Sequence, residues 1–266
     1  MQNALYNLRL LDDLAAGSTW IHFLNPIIKV LVTVIYLITI MSFDRYEIVA
    51  LVPFLFYPFL ILIWAELPAK PILRRIALVQ PLIIGIGIIH PLVDSHQIVV
   101  GTVEFSRGWV TFLSLFLKSC LTVSAAILLI ATTGIDNLAA ALRKLGVPKI
   151  FVIQLLLTYR YIAVLAEEAS RMQRAYQLRA PQQKGIARPV WGSFAGQLLL
   201  RTFDRAYRVY QAMNLRGFAG EYYSGEVGSV SHRDIIYLAT WSLFFIIARM
   251  YNLPLLWGSL LIGGRL

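Results

Sequence analysis

The 266-residue chain has little charge and almost no cysteine for its length. Charged residues make up 14% of it, whereas hydrophobic residues make up 58% and several windows of about 18 residues or more are apolar. A window of that length spans the ~30 Å hydrocarbon core of a bilayer. The composition therefore excludes an ordinary soluble domain and predicts an integral membrane protein. The single cysteine, Cys120, excludes an intrachain disulfide.

The short motifs of common enzyme and metal sites are also absent. The sequence contains no Walker A, H-E-x-x-H or G-x-S-x-G pattern. Its four histidines are scattered and, with one cysteine, show no metal-ligand spacing: His22, His90, His96 and His232. We therefore expect no catalytic residue, no metal ligand and no cofactor on this chain. A membrane enzyme that uses none of these motifs stays open as an alternative.

Five apolar segments predict membrane-spanning helices, at residues 27–43, 48–65, 76–93, 109–133 and 235–251. Ahead of them, residues 4–24 are amphipathic and lack a long apolar core. This pattern predicts a short interfacial helix that ends near Gly17, and no cleavable signal peptide. Pro26 suits the first turn of the first span, and Lys29 is close enough to that end to reach the membrane surface. The apolar tail, residues 254–266, is too short to cross.

Some residues within the spans predict bends or partners. Pro53 and Pro58 should bend the second span, and Pro81, Gly85 and Gly87 allow either close packing or a broken helix in the third. Lys118 lies near the middle of the fourth span, where a charge is costly unless it is paired or faces water. Asp94 and Glu104 of the polar loop 94–108 are candidate partners for it, and a functional role is the alternative.

The basic residues are concentrated in residues 136–233, which hold 14 of the 24 Lys and Arg but only 6 of the 14 Asp and Glu. Basic segments of membrane proteins collect in the cytoplasm, which explains the excess better than nucleic-acid binding does. This rule places the N-terminus inside and the C-terminus outside. The predicted divisions are an interfacial helix and four spans (1–133), a cytoplasmic region (134–233), and a last span with its tail (234–266).

The cytoplasmic region is predicted to be helical. A short helix over 137–145 has Asp136 as its N-cap and Gly146 as its stop. Longer helices follow over 148–179 and 190–216, and the apolar first half of the former, 150–165, can lie at or partly in the membrane. The second carries a stripe at helical spacing that predicts packing on another helix. The stripe consists of Leu199, Phe203, Ala206, Tyr210 and Met213.

Both long helices end in the same short pattern. The segments 171–180 and 208–217, at an offset of 37, share Arg, Ala, Leu, Arg and a small residue. One such end alone is explained by Arg stabilising the helix dipole. Two similar ends suit a partner with two equivalent pockets, in which Arg pairs with carboxylates and Leu is an apolar anchor. The predicted docking residues are Ala175, Leu178, Arg179 and Ala180 in the first end, and Ala212, Leu215, Arg216 and Gly217 in the second.

These paired ends resemble the coupling motifs of the transmembrane (T) component of energy-coupling factor (ECF) importers, a branch of the ABC transporters. Further motifs, in the same order, resemble its cobalt/nickel-type CbiQ family. They are Leu11-Asp12 through Leu24-Asn25-Pro26-x-x-Lys29 with Ser18 and His22 between, Leu142-x-x-Leu145-Gly146-Val147-Pro148, and Tyr159-Arg160-Tyr161 followed by Glu167-Glu168. The chain departs from the family pattern at Ala180, where Gly or Ser is common.

The resemblance implies an all-α integral membrane protein with about five spans and a cytoplasmic coupling domain of two to three amphipathic helices. It implies that Arg179 and Arg216 dock on two ABC-type ATPase subunits. Those subunits bind the ATP, and their closure moves the coupling helices against a separate substrate-binding membrane subunit. The cargo implied is cobalt or nickel. The alternatives are a vitamin-type importer, a stand-alone channel or secondary transporter, and a membrane enzyme.

Overall fold

The structure is a computed structural model that describes residues 12–93, 97–100, 103–182, 185–220 and 228–251. These residues are predominantly helical and form two compact units. The bundle unit comprises the described residues of 14–134 and 228–251. The arm unit comprises Asp12, Asp13 and the described residues of 135–220.

The elements follow one another in this order. The bundle unit begins with α1 (Pro26–Met41), α2 (Ile48–Leu51), a 3-10 turn (Val52–Leu55), α3 (Phe56–Trp64), α4 (Ala69–Gly87), α5 (Ile89–Val93), β1 (Gln97–Val100), β2 (Val103–Ser106) and α6 (Arg107–Thr133). The arm unit contains α7 (Ile135–Lys144), α8 (Lys149–Arg179), a 3-10 turn (Arg188–Val190) and α9 (Trp191–Leu215). The bundle unit ends with α10 (His232–Met250).

Each predicted span coincides with helical structure, but the number of crossings stays a prediction. By length and apolar composition, α6 and α8 can cross a membrane, and α1 and Ile48–Trp64 are shorter apolar helices. Residues 12–15 are helical and are followed by turns from Ala16, near the predicted end at Gly17. The rest of the predicted interfacial helix, residues 4–11, and the tail 254–266 lie outside the described residues.

The prediction of an all-α chain was wrong in one place. Within residues 94–108, where a polar loop was expected, β1 and β2 pair antiparallel, from Gln97 opposite Ser106 to Val100 opposite Val103. The strands contain Ile, Val and Phe, which are enriched in β-strands. Asp94 and His96 lie outside the described residues.

The core of the bundle unit is aromatic. Tyr36 of α1 is fully buried, and its ring lies 4.6 Å from that of Tyr57 and 5.2 Å from that of Phe245 of α10. The Tyr36 hydroxyl donates a 3.0 Å hydrogen bond to the Phe54 carbonyl oxygen. That carbonyl would accept from residue 58 in a regular helix, but Pro58 has no N–H. The tyrosine therefore satisfies an acceptor that the proline leaves open in an apolar interior.

Close packing joins α4 to α6. A Cβ atom added to Gly87 would lie 2.7 Å from Cδ2 of Phe112, so only glycine permits this approach. The helix continues through Pro81 and ends at Gly87. The structure thus shows close packing at Gly87 and also a break in the helix after it, because α5 begins only at Ile89. Lys70, Arg74 and Arg75 lie on the first turns of α4, ahead of the predicted span.

The arm unit packs α7 on α8 around the buried side chains of Ala139, Val152 and Leu156. Gly146 ends the α7 segment as predicted, with φ of +94° and a hydrogen bond from the Val147 N–H to the Leu142 carbonyl. Asp136 was predicted to be the N-cap of α7, but it lies two residues after the N-cap position. Because α7 begins at Ile135, Asp136 lies in the first turn, where its charge favours the helix dipole.

Candidate functional site

The ends of α8 and α9 are open to the surroundings. Leu178 is 84% exposed and Leu215 is 90% exposed, and Arg179 and Arg216 beside them are exposed as well. Among the other predicted docking residues, Ala175, Ala212 and Gly217 are exposed and Ala180 is partly buried. An exposed leucine gains nothing from folding, so each end presents an apolar anchor and a cation that a partner could cover.

The end of α9 has a well-defined geometry. Gly217 adopts φ of +76°, the Phe218 N–H bonds the Met213 carbonyl at 3.0 Å, and the Gly217 N–H bonds the Asn214 carbonyl at 3.0 Å. These two bonds form a Schellman motif, which requires a left-handed residue that glycine adopts without strain. The motif fixes the backbone on which Arg216 is carried.

The end of α8 is built differently. Ala180 has φ of −132°, and its N–H bonds the Tyr176 carbonyl at 3.0 Å. Pro181 follows, and the residue before a proline is driven away from helical geometry. The two repeats therefore share exposed Leu-Arg pairs, but they differ in how their backbones leave the helix.

A cleft of about 960 Å³ runs between α8 and α9 and includes part of the second repeat. Ala212, Arg216 and Gly217 line it, together with Arg160 and Arg205. No carboxylate lies among its described lining residues, so the cleft is positively charged. The structure places only the second repeat at this cleft.

An ion-pair cluster holds α8 and α9 together. Nη1 of Arg201 on α9 lies 2.5 Å from Oε1 of Glu168 on α8, and Nε of Arg171 lies 3.6 Å from Oε2 of the same carboxylate. Glu168 belongs to the Glu-Glu pair noted in the sequence. It connects α8 to α9 at a point that precedes the repeat in each helix.

Within the described chain, most of the predicted α9 stripe is not packed on another helix. Leu199, Phe203 and Tyr210 are 56%, 64% and 59% exposed, whereas Met213 is partly buried. The periodicity did indicate one apolar face, but within the described chain no helix covers it. The face is available to another molecule.

The N-terminal motif forms a buried polar network in the bundle unit. Asn25 caps α1 by accepting from the Ile27 N–H, with Pro26 in the first turn as predicted, and its own N–H donates to Oδ1 of Asp234 at 2.9 Å. The Asp234 Oδ2 atom accepts from the Ser231 N–H at 2.8 Å, which completes a capping box on α10. Sequence reasoning missed Asp234, although Ser231-x-x-Asp234 is a visible capping signature.

His22 belongs to the same region. Its Nε2 donates to the Leu14 carbonyl at 3.0 Å, and its Nδ1 accepts from the Thr19 hydroxyl at 2.7 Å. Burial lowers the pKa of His22 below its ordinary value, and Lys29 nearby lowers it further. The neutral imidazole thus holds the turn that leads into α1.

The prediction that Lys29 reaches the membrane surface was wrong. Lys29 is only 4% exposed, and its ammonium donates to the Thr132 carbonyl at 2.8 Å and the His22 carbonyl at 3.2 Å. Thr132 lies at the carbonyl end of α6, where a positive charge is stabilised by the helix dipole. The lysine therefore fastens α1 to the end of α6.

The side chains of Asp94 and Glu104, the predicted partners of Lys118, lie outside the described residues. The Lys118 ammonium donates to the backbone carbonyls of Phe43 at 2.6 Å and Asp44 at 3.3 Å, in the turn after α1. Arg249 of α10 bonds the same turn through the Ser42 carbonyl at 2.9 Å and pairs with Glu47 at 3.2 Å. Lys118 thus has a structural role.

Among the side chains that the structure describes, no three His, Cys, Asp or Glu residues form a group that could hold a metal ion. The docking-residue assignment and the absence of a metal ligand remain predictions. The side chains of His90 and His96 lie outside the described residues.

Comparison with known proteins gives the chain its family. Residues 17–225 match the model of the CbiQ family, described as cobalt transport proteins. MJ1089 of Methanocaldococcus jannaschii is 27% identical over 251 residues, 88% of this chain and 91% of that protein. MJ1571 of the same organism is 28% identical over 135 residues, 50% of this chain and 46% of that protein. The nickel permease LarQ of Lactiplantibacillus plantarum is 28% identical over 141 residues, 52% of each chain.

Apolar helices and a transport-family match define a membrane protein that is a component of a transport system. The chain belongs to the CbiQ cobalt transport protein family. Members of this family generally work with partner subunits, and their role as transport components is consistent with a chain that is not an enzyme.

Proposed function

We propose that the chain is the transmembrane coupling subunit of an ECF-type ABC importer. In this role it crosses the cell membrane several times with its N-terminus in the cytoplasm. It transmits ATP hydrolysis from two ATPase subunits to a substrate-binding membrane subunit. ATP binds to those partners and not to this chain.

The observation that carries the proposal is the repeated, uncovered Leu-Arg pair. Leu178 and Leu215 are among the most exposed apolar side chains described, and each precedes an exposed arginine. Two equivalent anchors suit two equivalent grooves on a pair of similar ATPase subunits. An arginine that enters such a groove can form a bidentate pair with a carboxylate.

The transported species is cobalt or nickel in this proposal. The family description names cobalt, and the relative LarQ is named as a nickel permease. The substrate would bind to the separate membrane subunit, so metal transport does not require a metal site among the side chains described here. A vitamin as cargo is the alternative.

The arm helices provide a means of transmission. The Glu168–Arg201 ion pair joins α8 to α9, so a displacement of one docked end is passed to the other helix. ATP can shift this arrangement only if the closed ATPase pair binds one position of the arm more tightly than another. The uncovered apolar face of α9 is where the moving arm would contact the substrate-binding subunit.

The test is co-purification in mild detergent and uptake of labelled cobalt or nickel. We expect the Arg216→Ala variant to bind the ATPase more weakly and to lose uptake while still inserting in the membrane. The Arg179→Ala/Arg216→Ala double variant should lose both completely. Arg174→Ala is the matched control, because Arg174 is an exposed arginine on α8 that lies ahead of the terminal Leu-Arg pair. Unchanged complex formation and uptake in the double variant would refute the proposal.

A further inference from the structure

An aromatic groove runs along α3 and α10 in the bundle unit. Its volume is about 540 Å³, and its floor includes Tyr237 and Trp241, both nearly buried. Trp20 and Trp64 form its walls, with their ring centroids 5.4 Å apart. The Trp64 ring in turn lies 6.4 Å from that of Trp241. The groove therefore offers a continuous apolar surface made of aromatic rings.

The groove has one charged end and one apolar end. Arg233, in the first turn of α10, lines the first, and Phe244 lines the second. Eleven helical positions separate them, which corresponds to about 16 Å along the axis. This is close to half of the ~30 Å hydrocarbon core, the depth of one leaflet.

Nothing in the described part of the chain neutralises the charged end. Arg233 is exposed, and no carboxylate there forms an ion pair with it. The neighbouring Asp234 is buried and accepts hydrogen bonds from the N–H groups of Ser231 and Asn25. An anionic group fits this end.

The location agrees with the headgroup region of a membrane. The charged end lies where α3 ends and α10 begins, and tryptophans concentrate at that level in membrane proteins. Lys70 and Arg74, on the first turns of the helix that follows α3, add positive charge to the chain just after Trp64.

We propose that the groove is a binding site for one phospholipid, with an acyl chain along the aromatic floor and its phosphate on Arg233. A protein helix is a poorer occupant. An apolar membrane helix has no anionic group to place on Arg233, whereas a phospholipid brings a phosphate and an acyl chain together. The site is separate from the arm repeats, so its test does not depend on the proposed coupling role.

The test is native mass spectrometry of the full chain in detergent, titrated with phosphatidylglycerol and with diacylglycerol of the same chains. We expect one phosphatidylglycerol to bind at least about tenfold more tightly than diacylglycerol, the effect of one charge-assisted contact. Arg233→Gln should remove this preference. Thr240→Phe should block the groove, which Thr240 lines, and reduce binding about tenfold. Ala239→Phe is the control, since Ala239 is exposed on the same helix outside the groove.

A second measurement tests the wild-type chain directly. Three of its six tryptophans line the groove, so phosphatidylglycerol with brominated chains should quench their fluorescence more than brominated diacylglycerol does at equal concentration. Equal binding and quenching by the two lipids, unaffected by Arg233→Gln, would show only a non-specific lipid shell and overturn the proposal. So would a photocrosslinker at position 240 that labels a protein subunit instead of lipid in membranes.

Discussion

Truncating Leu178 and Leu215 to alanine tests docking separately from folding. Because these side chains are 84% and 90% exposed, their apolar surface is not used to stabilise the chain. Surface substitutions of this kind change the free energy of unfolding by less than about 0.5 kcal/mol. Any larger effect of the truncations must therefore appear in the binding of a partner.

The size of that effect follows from the exposed fraction. Fully burying a leucine side chain is worth about 1.5–3 kcal/mol. With about 2 kcal/mol for each end, one truncation should weaken ATPase binding by about 30-fold. When both ends engage one ATPase pair, the double truncation should weaken it by up to about 10³-fold.

The assay is the affinity of the purified ATPase pair for the chain in nanodiscs, measured by fluorescence anisotropy. Leu200→Ala is the matched control, because Leu200 is 59% exposed on α9 but lies outside the repeat. We expect this variant to bind as the wild type does. A double truncation that binds within about threefold of the wild type would show that the leucines are not buried by the ATPase.

Three further predictions concern the fold. Tyr36→Phe removes the donor to the Phe54 carbonyl and should lower the free energy of unfolding in detergent by about 1–3 kcal/mol. An unchanged free energy of unfolding would show that this hydrogen bond does not stabilise the fold. Gly217→Ala places alanine at φ of +76° and should destabilise the arm unit by about 1–2 kcal/mol. Gly192→Ala is the control, because Gly192 lies within α9 with open space around it, and this change should be neutral or stabilising. Equal melting temperatures of the two variants would contradict this prediction. Folding lowers the pKa of His22, so the folded chain binds fewer protons than the unfolded chain in acid. The free energy of unfolding should therefore decrease as the pH is lowered past about 6.5, and His22→Gln should make it less dependent on pH.

The sequence was a good guide wherever the signal is local. Pro26 at the start of α1, Gly146 after α7 and the ends of the two long arm helices were all predicted, because capping and helix termination depend on a few neighbouring residues. That the Leu-Arg pairs are open to a partner was inferred from their repetition, since the same pattern ends two helices.

Contacts between distant residues were beyond the sequence. Asn25 and Asp234 are 209 positions apart, and nothing in either local pattern indicates the other. Lys29 was assigned to the membrane surface, but it donates to a backbone carbonyl at the end of α6. Lys118 donates to a backbone carbonyl in the turn after α1, which the sequence did not indicate. Every residue carries a backbone carbonyl, so no sequence pattern identifies which carbonyl a lysine will bind.

The sequence by itself predicted a membrane protein, the ends of most of its helices, and the similar ends of two of them. Hydropathy, capping and periodicity are properties of adjacent residues. Only the tertiary structure decided which carbonyls Lys29 and Lys118 bind, which face of α9 is left uncovered, and where the rings of Trp20, Trp64 and Trp241 meet. Those outcomes depend on how separate helices pack, and packing depends on contacts across the whole chain.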